Sequence, residues 1–289
     1  MLQIFEQYGE QLEVTGNSPL FLNQPSEIYL VASEYVDVFI APLRDGRPEG
    51  ARTHLFRAPQ GSLLVGSDPC GHKTNMGMLA TAKPGTKVLR ARRSGMRDTT
   101  LGEDPQEREE LRGLVQGWIQ NLTHALKQGM PPKNTSSLSA GENILQPEEN
   151  ARPSTGSKLL WVRQLEGTSS WFSCFDWQLP AGECFFPLTE QAWITAQTTS
   201  SLDCRTHEDM QALDPGYQCL ENFHARFFAV IQQELTASRE NERLRLSQME
   251  ANDRQAISSA MSQLAGILVS KPSKLPRQHS SGDELLTAC

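Results

Sequence analysis

Long apolar runs are missing from this sequence. No stretch approaches the ~18 consecutive apolar residues that a membrane-crossing helix needs, so nothing in it reads as a bilayer span. A basic excess is missing as well: 27 Lys and Arg stand against 34 Asp and Glu, a formal net charge of -7 with a pI near 5.5. Nucleic-acid binding needs a cationic surface that displaces counterions, so this balance argues against nucleic acid as the main partner. The cysteines, Cys70, Cys174, Cys184, Cys204, Cys219 and Cys289, include no C-x-x-C pair and no zinc-like spacing. They read as reduced thiols of a cytoplasmic protein. The opening MLQIFEQYGEQLEV carries acidic residues where a secretion signal would carry basic ones, which again points to the cytoplasm.

Motifs for chemistry are equally scarce. Gly66-Ser-Asp-Pro-Cys-Gly71-His-Lys73-Thr74 looks like a phosphate loop, but His72 stands where a Walker sequence needs its lysine, and no helical pattern follows. A metal-binding cupin would offer a His-x-His pair with a nearby Glu; His54 stands alone and the six histidines are scattered. A cyclic-nucleotide roll would offer a turn whose amides, with an Arg and an acidic residue, hold phosphate and ribose. The corresponding segment, Gly61 to Asp68, has Asp68 and no Arg. Ser62, Ser94, Ser170 and the cysteines lack a nucleophile elbow. The expectation is therefore no enzyme, with no catalytic residue, no cofactor-binding residue and no metal ligand.

What is present is β-sheet patterning. At 289 residues, 38% hydrophobic and 21% charged, the chain can bury a substantial core and is expected to hold two domains. Apolar residues alternate through Ile28, Leu30, Val36, Val38 and Ile40, with turn signals at Asp45-Gly46 and Pro59-Gln-Gly61 before Leu63-Leu-Val65. That is the period-two signature of half-buried strands, here in a small antiparallel β-roll of the kind found in cyclic-nucleotide sensors and cupins. Leu2, Phe5, Leu12 and Val14 would cover one end of it. Later strands are expected at Gly77 to Ala82 and Thr86 to Ala91, and the cluster Lys87, Arg90, Arg92, Arg93 and Arg97 reads as a solvated strand edge. Leu111, Leu114, Val115, Trp118, Leu122 and Leu126 recur at helical spacing, on a helix expected to pack against the roll.

The stretch from Gly129 to Ser157, rich in Pro, Ser, Asn and Gly, reads as a linker. Five short strands follow, from Lys158 to Thr206, as a second, smaller β unit. Trp161, Trp171, Phe172, Phe175, Trp177, Phe185, Phe186 and Trp193 would form its core. Its phrase Leu179-Pro-Ala-Gly182 to Phe186 echoes Phe56-Arg-Ala-Pro-Gln-Gly61 to Leu64, which suggests a degenerate repeat. From Tyr217 to Val269 the pattern is one long helix, apolar at Leu220, Phe223, Phe227, Ile231 and Leu235, polar in its middle, and apolar again at Ile257, Met261, Leu264 and Leu268. The expected organisation is 1–128 roll with flanking helices, 129–157 linker, 158–214 second β unit, 215–269 helix and 270–289 flexible tail, an α+β fold.

Several of these features together resemble a family. Pro19-Leu-Phe-Leu, Ile28-Tyr-Leu-Val31, Val36-Asp-Val-Phe39, His54-Leu-Phe-Arg57 and Gly61 are similar to the N-terminal region of bacterial ABC transporters that export bacteriocin-like peptides with nitrile hydratase-type leaders. Leu159-Leu-Trp161-Val162, Leu179-Pro-Ala-Gly182, Pro187-Leu-Thr189, Ala192-Trp193, Phe223-His224 and Asp283 to Cys289 fit in order. The resemblance implies a non-catalytic cytoplasmic domain at the inner face of the plasma membrane. Its implied partners are a membrane and ATPase portion and the leader peptide, with a possible homodimer through the long helix. This chain stops where the family would continue into membrane helices and a nucleotide-binding domain, so it is expected neither to transport nor to hydrolyse ATP by itself. The alternative expectation is a regulatory sensor of the cyclic-nucleotide-binding type, with a cupin-type enzyme third.

Overall fold

A computed structural model describes residues 3–68, 75–126, 132–154, 159–171, 178–179, 181–182 and 184–270 of the chain. It divides into two compact units, Met1–Glu234 and Leu235–Cys289. The first opens with α1 (Gln3–Tyr8), followed by β1 (Glu10–Val14), β2 (Leu20–Phe21), β3 (Glu27–Val31), β4 (Tyr35–Arg44), β5 (Arg47–Pro48), β6 (Thr53–Pro59), β7 (Leu63–Val65), β8 (Met76–Thr81) and β9 (Thr86–Arg92). One sheet has the order β1-β9-β3-β7; the other runs β2-β8-β4-β5, with β6 also paired to β4. The alternation read in the sequence is the inward phase of β3 and β4: Ile28, Val36, Val38 and Ile40 are fully buried, together with Ala58, Val65, Ala80 and Val88. Asp45 and Gly46 take positive φ in the β4–β5 turn, and Gly61 does so ahead of β7.

After the roll come α2 (Ser94–Leu101) and α3 (Pro105–Ala125). Asp104 caps α3 by accepting from the amides of Gln106 and Glu107, and Pro105 occupies the first helical position, where its missing N–H costs nothing. The buried face of α3 carries Leu111, Val115, Trp118, Ile119 and Leu122, much as the helical spacing predicts. It packs on β6 and β7. The remaining strands are β10 (Ser136–Leu138), β11 (Gly141–Leu145), β12 (Asn150–Pro153), β13 (Leu159–Glu166), β14 (Ser169–Trp171), β15 (Phe186–Thr189), β16 (Ile194–Ala196) and β17 (Ser200–Thr206), then α4 (His207–Leu213) and α5 (Cys219–Ser270).

The linker expectation needs correction. Residues 132–154 hold β10, β11 and β12, with β11 paired to β17 and β12 to β16, so the second β unit begins well before residue 158. These strands are short and mostly half-exposed, and Gly, Ser and Asn at their turns dominated the composition. With them in place the repeat becomes explicit. The sheet β11-β17-β13-β15 has the same chain sequence of strands as β1-β9-β3-β7, and β12-β16-β14 matches β2-β8-β4. A helix pair follows each roll. Gly182, ahead of β15, has positive φ as Gly61 does ahead of β7, which accounts for the echo between the two phrases.

Two further expectations change. Residues 10–14 form β1 on β9, and Val14 and Phe5 are buried as anticipated. The basic cluster is not a strand edge: β9 lies between β1 and β3, Arg90 pairs with Glu10 and Glu27, and Arg93 is buried. Trp161, Trp171, Phe186 and Trp193 are core residues and Phe185 is half-exposed, while Phe172, Phe175 and Trp177 lie outside the described residues. So does the tail from residue 271.

In the second unit, residues 236–267 of the helix are exposed. Leu244, Leu246, Met249, Ile257, Met261 and Leu264 are all more than half exposed. No helix among the described residues is long and apolar enough to cross a membrane.

Candidate functional site

Three places deserve comparison as sites: the turn after β7, the seam between the two rolls, and the outer face of the first roll. A phosphate-binding turn works by aiming free backbone amides at the anion. Here the described amides point elsewhere. Gly61 N donates to Val31 O at 2.8 Å, Ser62 N to Pro59 O at 3.0 Å, and Gly66 N to Glu27 O at 3.0 Å. Ser67 donates to Leu22 O through both its amide and its hydroxyl, each at 3.1 Å. Gly66 is packed so closely that a Cβ there would collide with the Gln24 carbonyl. Residues 69–74, the remainder of the loop resembling a phosphate loop, lie outside the described residues. In the second roll, residues 190–193 alone join β15 to β16, closed by Ala192 N donating to Thr189 O at 3.0 Å. Neither turn offers a row of free amides among the described residues.

The seam is held by buried polar contacts. Trp118 Nε1 on α3 donates to His224 Nε2 on α5 at 3.0 Å, with both residues buried. Arg93 donates to Pro25 O at 3.3 Å and to Tyr217 O at 2.5 Å, and pairs with Glu221 on α5. Thr206 and Asp209 form a capping box at the start of α4, which carries His207 into contact with Trp161 and Tyr217, ring centroids 6.1 and 5.6 Å away. Burial, with a smaller push from the Arg112 charge, lowers the His207 pKa to about 4, so the ring is neutral at pH 7. These groups fix the rolls on their helices, and Arg93 and Glu221 also line a cleft with Arg92 and Arg97.

The outer face of the first roll is different. Register places Phe21, Leu79, Phe39 and His54 in one row across β2, β8, β4 and β6, on the side opposite Val38, Ala80 and Phe56. His54 packs edge-on to Phe39 at 5.2 Å. In the next row, Arg57 donates to both carboxylate oxygens of Asp37, at 2.9 and 3.1 Å, and its guanidinium lies 3.9 Å from the Tyr35 ring centroid. His54 Nε2 is 3.2 Å from Asp37 Oδ1. The bonds from Arg57, then that from His54, hold the Asp37 carboxyl below its usual pKa. Phe21, His54 and Arg57 are exposed. A bulge between Val38 and Phe39 shifts the β4–β6 register and sets His54 beside Phe39. His54, read in the sequence as solitary, thus belongs to a cluster; the only sequence signal was the outward phase of Tyr35, Asp37 and Phe39 on β4.

No protein-family model matches the sequence, and no curated protein matches it. Solved structures do. A CooA mutant from Carboxydothermus hydrogenoformans is 15% identical over 41% of this chain and 71% of that chain, with a TM-score of 0.29. The regulatory domain of Toxoplasma gondii PKA, in a co-crystal with cAMP, is 9% identical over 75% of this chain and 85% of that chain, with a TM-score of 0.24. Thermus thermophilus catabolite activator protein is 19% identical over 42% and 48%, with a TM-score of 0.21. Likeness at these levels carries no argument about ligand or activity. The fold class rests on the topology itself: an α+β chain with a cyclic-nucleotide-binding or cupin-like β-roll, a second smaller β unit and a long C-terminal helix.

Proposed function

We propose that this chain is a non-catalytic recognition module, contacting a protein or peptide partner through the outer face of its first roll. The observation that carries this reading is the outer face itself, where Arg57 is held on Asp37 and against the Tyr35 ring beside the exposed Phe21 and His54. After β7 the amides of Gly66 and Ser67 are bonded within the chain, and residues 69–74 lie outside the described residues. The row from Phe21 to His54, with Leu79 buried and Phe39 half-buried between them, is flanked by the Tyr35, Asp37 and Arg57 cluster, so that exposed Phe21 and His54 stand beside a held guanidinium. Interface centres are enriched in those groups. The resemblance to peptide-export transporters supplies the setting: the leader peptide of the exported substrate is the partner, at the inner face of the plasma membrane. Titrating such a peptide, encoded near this gene, into isotope-labelled protein should move the amide resonances of Tyr35, Asp37, His54 and Arg57. A peptide that binds while leaving all four unmoved overturns the placement.

A second reading is the regulatory sensor of the cyclic-nucleotide-binding type. The order of elements favours it, since each roll is followed by a helix pair able to relay a ligand-induced shift. The amides of Gly66 and Ser67, bonded to Glu27 O and Leu22 O, are not offered to that ligand.

A further inference from the structure

Away from the first roll, the second β unit has a cleft of about 390 Å³ whose floor is ionic. Arg163 and Asp203 are cross-strand partners on β13 and β17, and Arg205 lies two residues further along β17 on the same face. Asp203, only 6% exposed, accepts from Arg205 Nε at 2.8 Å and Nη2 at 3.4 Å and from Arg163 Nη2 at 2.7 Å. One carboxylate therefore fixes two guanidiniums and neutralises one of them. The Phe185 ring holds Arg163 from the side, 4.7 Å from its guanidinium carbon, and Arg163 Nε is a buried donor with no acceptor in the protein.

The other acid in the cleft is Asp214. It accepts from Cys219 N at 2.7 Å, and Cys219 is the first residue of α5, so this carboxylate faces a helix N-terminus whose partial positive charge offsets it. Asn222 is likewise engaged, donating to Cys184 Sγ at 3.1 Å. What remains available is guanidinium N–H and an apolar wall of Phe185, Met210 and Leu213.

We infer that this cleft binds a small organic carboxylate with a short apolar body, its carboxylate on Arg163 and Arg205 and its apolar body against Phe185, Met210 and Leu213. The preorganised pair matches the two oxygens of a carboxylate, and the volume is of the size that small ligands fill. The site is separate from the recognition face of the first roll, and its failure would leave that reading untouched.

The probe is phenylacetate, titrated into the full chain by NMR beside phenethyl alcohol and inorganic phosphate, each up to ~20 mM, where even millimolar affinity registers. Phenylacetate should saturate and shift resonances of Arg163, Phe185 and Arg205, and Arg205→Gln should weaken it at least about ten-fold, the loss of one charge-assisted contact. Arg205→Gln removes a partner of the buried Asp203 and should lower the urea midpoint, so the titrations are run without urea on variant protein whose amide spectrum shows it folded, where a weaker affinity reports lost binding. No saturation, equal affinity in Arg205→Gln, or equal binding of the alcohol or of phosphate would each overturn the assignment.

Discussion

Trp118 and His224, 106 residues apart in the chain, share a buried hydrogen bond of 3.0 Å that ties the helix after the first roll to the helix after the second. Phe56 of β6 packs edge-on to Trp118 at 5.9 Å, and Phe223 of α5 packs edge-on to Trp171 of β14 at 6.1 Å. The line from roll to roll therefore runs through Trp118, His224 and Phe223. Trp118→Phe removes the donor from a buried acceptor and also leaves the space of the indole's second ring empty. The expected cost is about 1–3 kcal/mol, read as a lower urea midpoint with an unchanged slope. An unchanged midpoint would show that this bond does not brace the rolls.

Arg93 makes the companion contact. Its side chain is 6% exposed, and its partner Glu221 is 24% exposed. Arg93→Ala removes the donor to Pro25 O and Tyr217 O as well as the ion pair, and should cost about 1–3 kcal/mol. Arg92→Ala, one residue earlier and exposed, should change stability by less than about 0.5 kcal/mol. Equal effects at the two positions would return Arg93 to the solvated cluster that the sequence suggested.

His207 gives the module an acid-sensitive fold. Burial, with the Arg112 charge nearby, holds its pKa down to about 4 in the folded chain, against the ordinary 6.5 of the unfolded one. Between those values the unfolded chain binds a proton that the folded chain does not, so stability rises with pH there. The contribution is complete above pH ~6.5 and falls as the pH drops towards ~4, by at most about 3 kcal/mol. Urea midpoints measured from pH 7 to 4 should fall, and His207→Phe should flatten that limb. An equally steep limb in His207→Phe would assign the effect to other groups.

The helix of the second unit presents Ile257, Met261 and Leu264 at spacings of four and three residues, each more than half exposed. That alternation matches the spacing of a two-helix seam. The chain is expected to self-associate at tens of micromolar in sedimentation, and Leu264→Asp to reduce it. A strict monomer for the unmodified chain would count against the seam.

Much of this architecture is legible in the sequence, and the reasons for the exceptions are physical. Val36, Val38 and Ile40 announce β4 because one face is buried and the other is not. The face of α3 from Leu111 to Leu122 is visible for the same reason. β10 and β11 are hidden because few of their side chains point inward, so they gain their place through ladder bonds that composition does not record. α2 is hidden because its buried positions, Met96, Thr99 and Thr100, include two polar residues. The burial of Arg93 depends on Glu221 and Tyr217, far away in the chain. The cluster at Asp37, His54 and Arg57 requires the register of β6 against β4, including its bulge, which no local pattern specifies.

We propose that the first roll recognises a peptide by its outer face rather than a cyclic nucleotide. Fluorescence anisotropy of a labelled leader peptide, encoded near this gene, tests it in one titration repeated with Arg57→Ala and with excess cAMP or cGMP. Saturable binding is expected below ~100 μM, where a contact worth about 5 kcal/mol registers. Arg57→Ala should weaken it several-fold, and neither nucleotide should compete. No anisotropy change at that concentration, or displacement of the peptide by either nucleotide, would contradict the account.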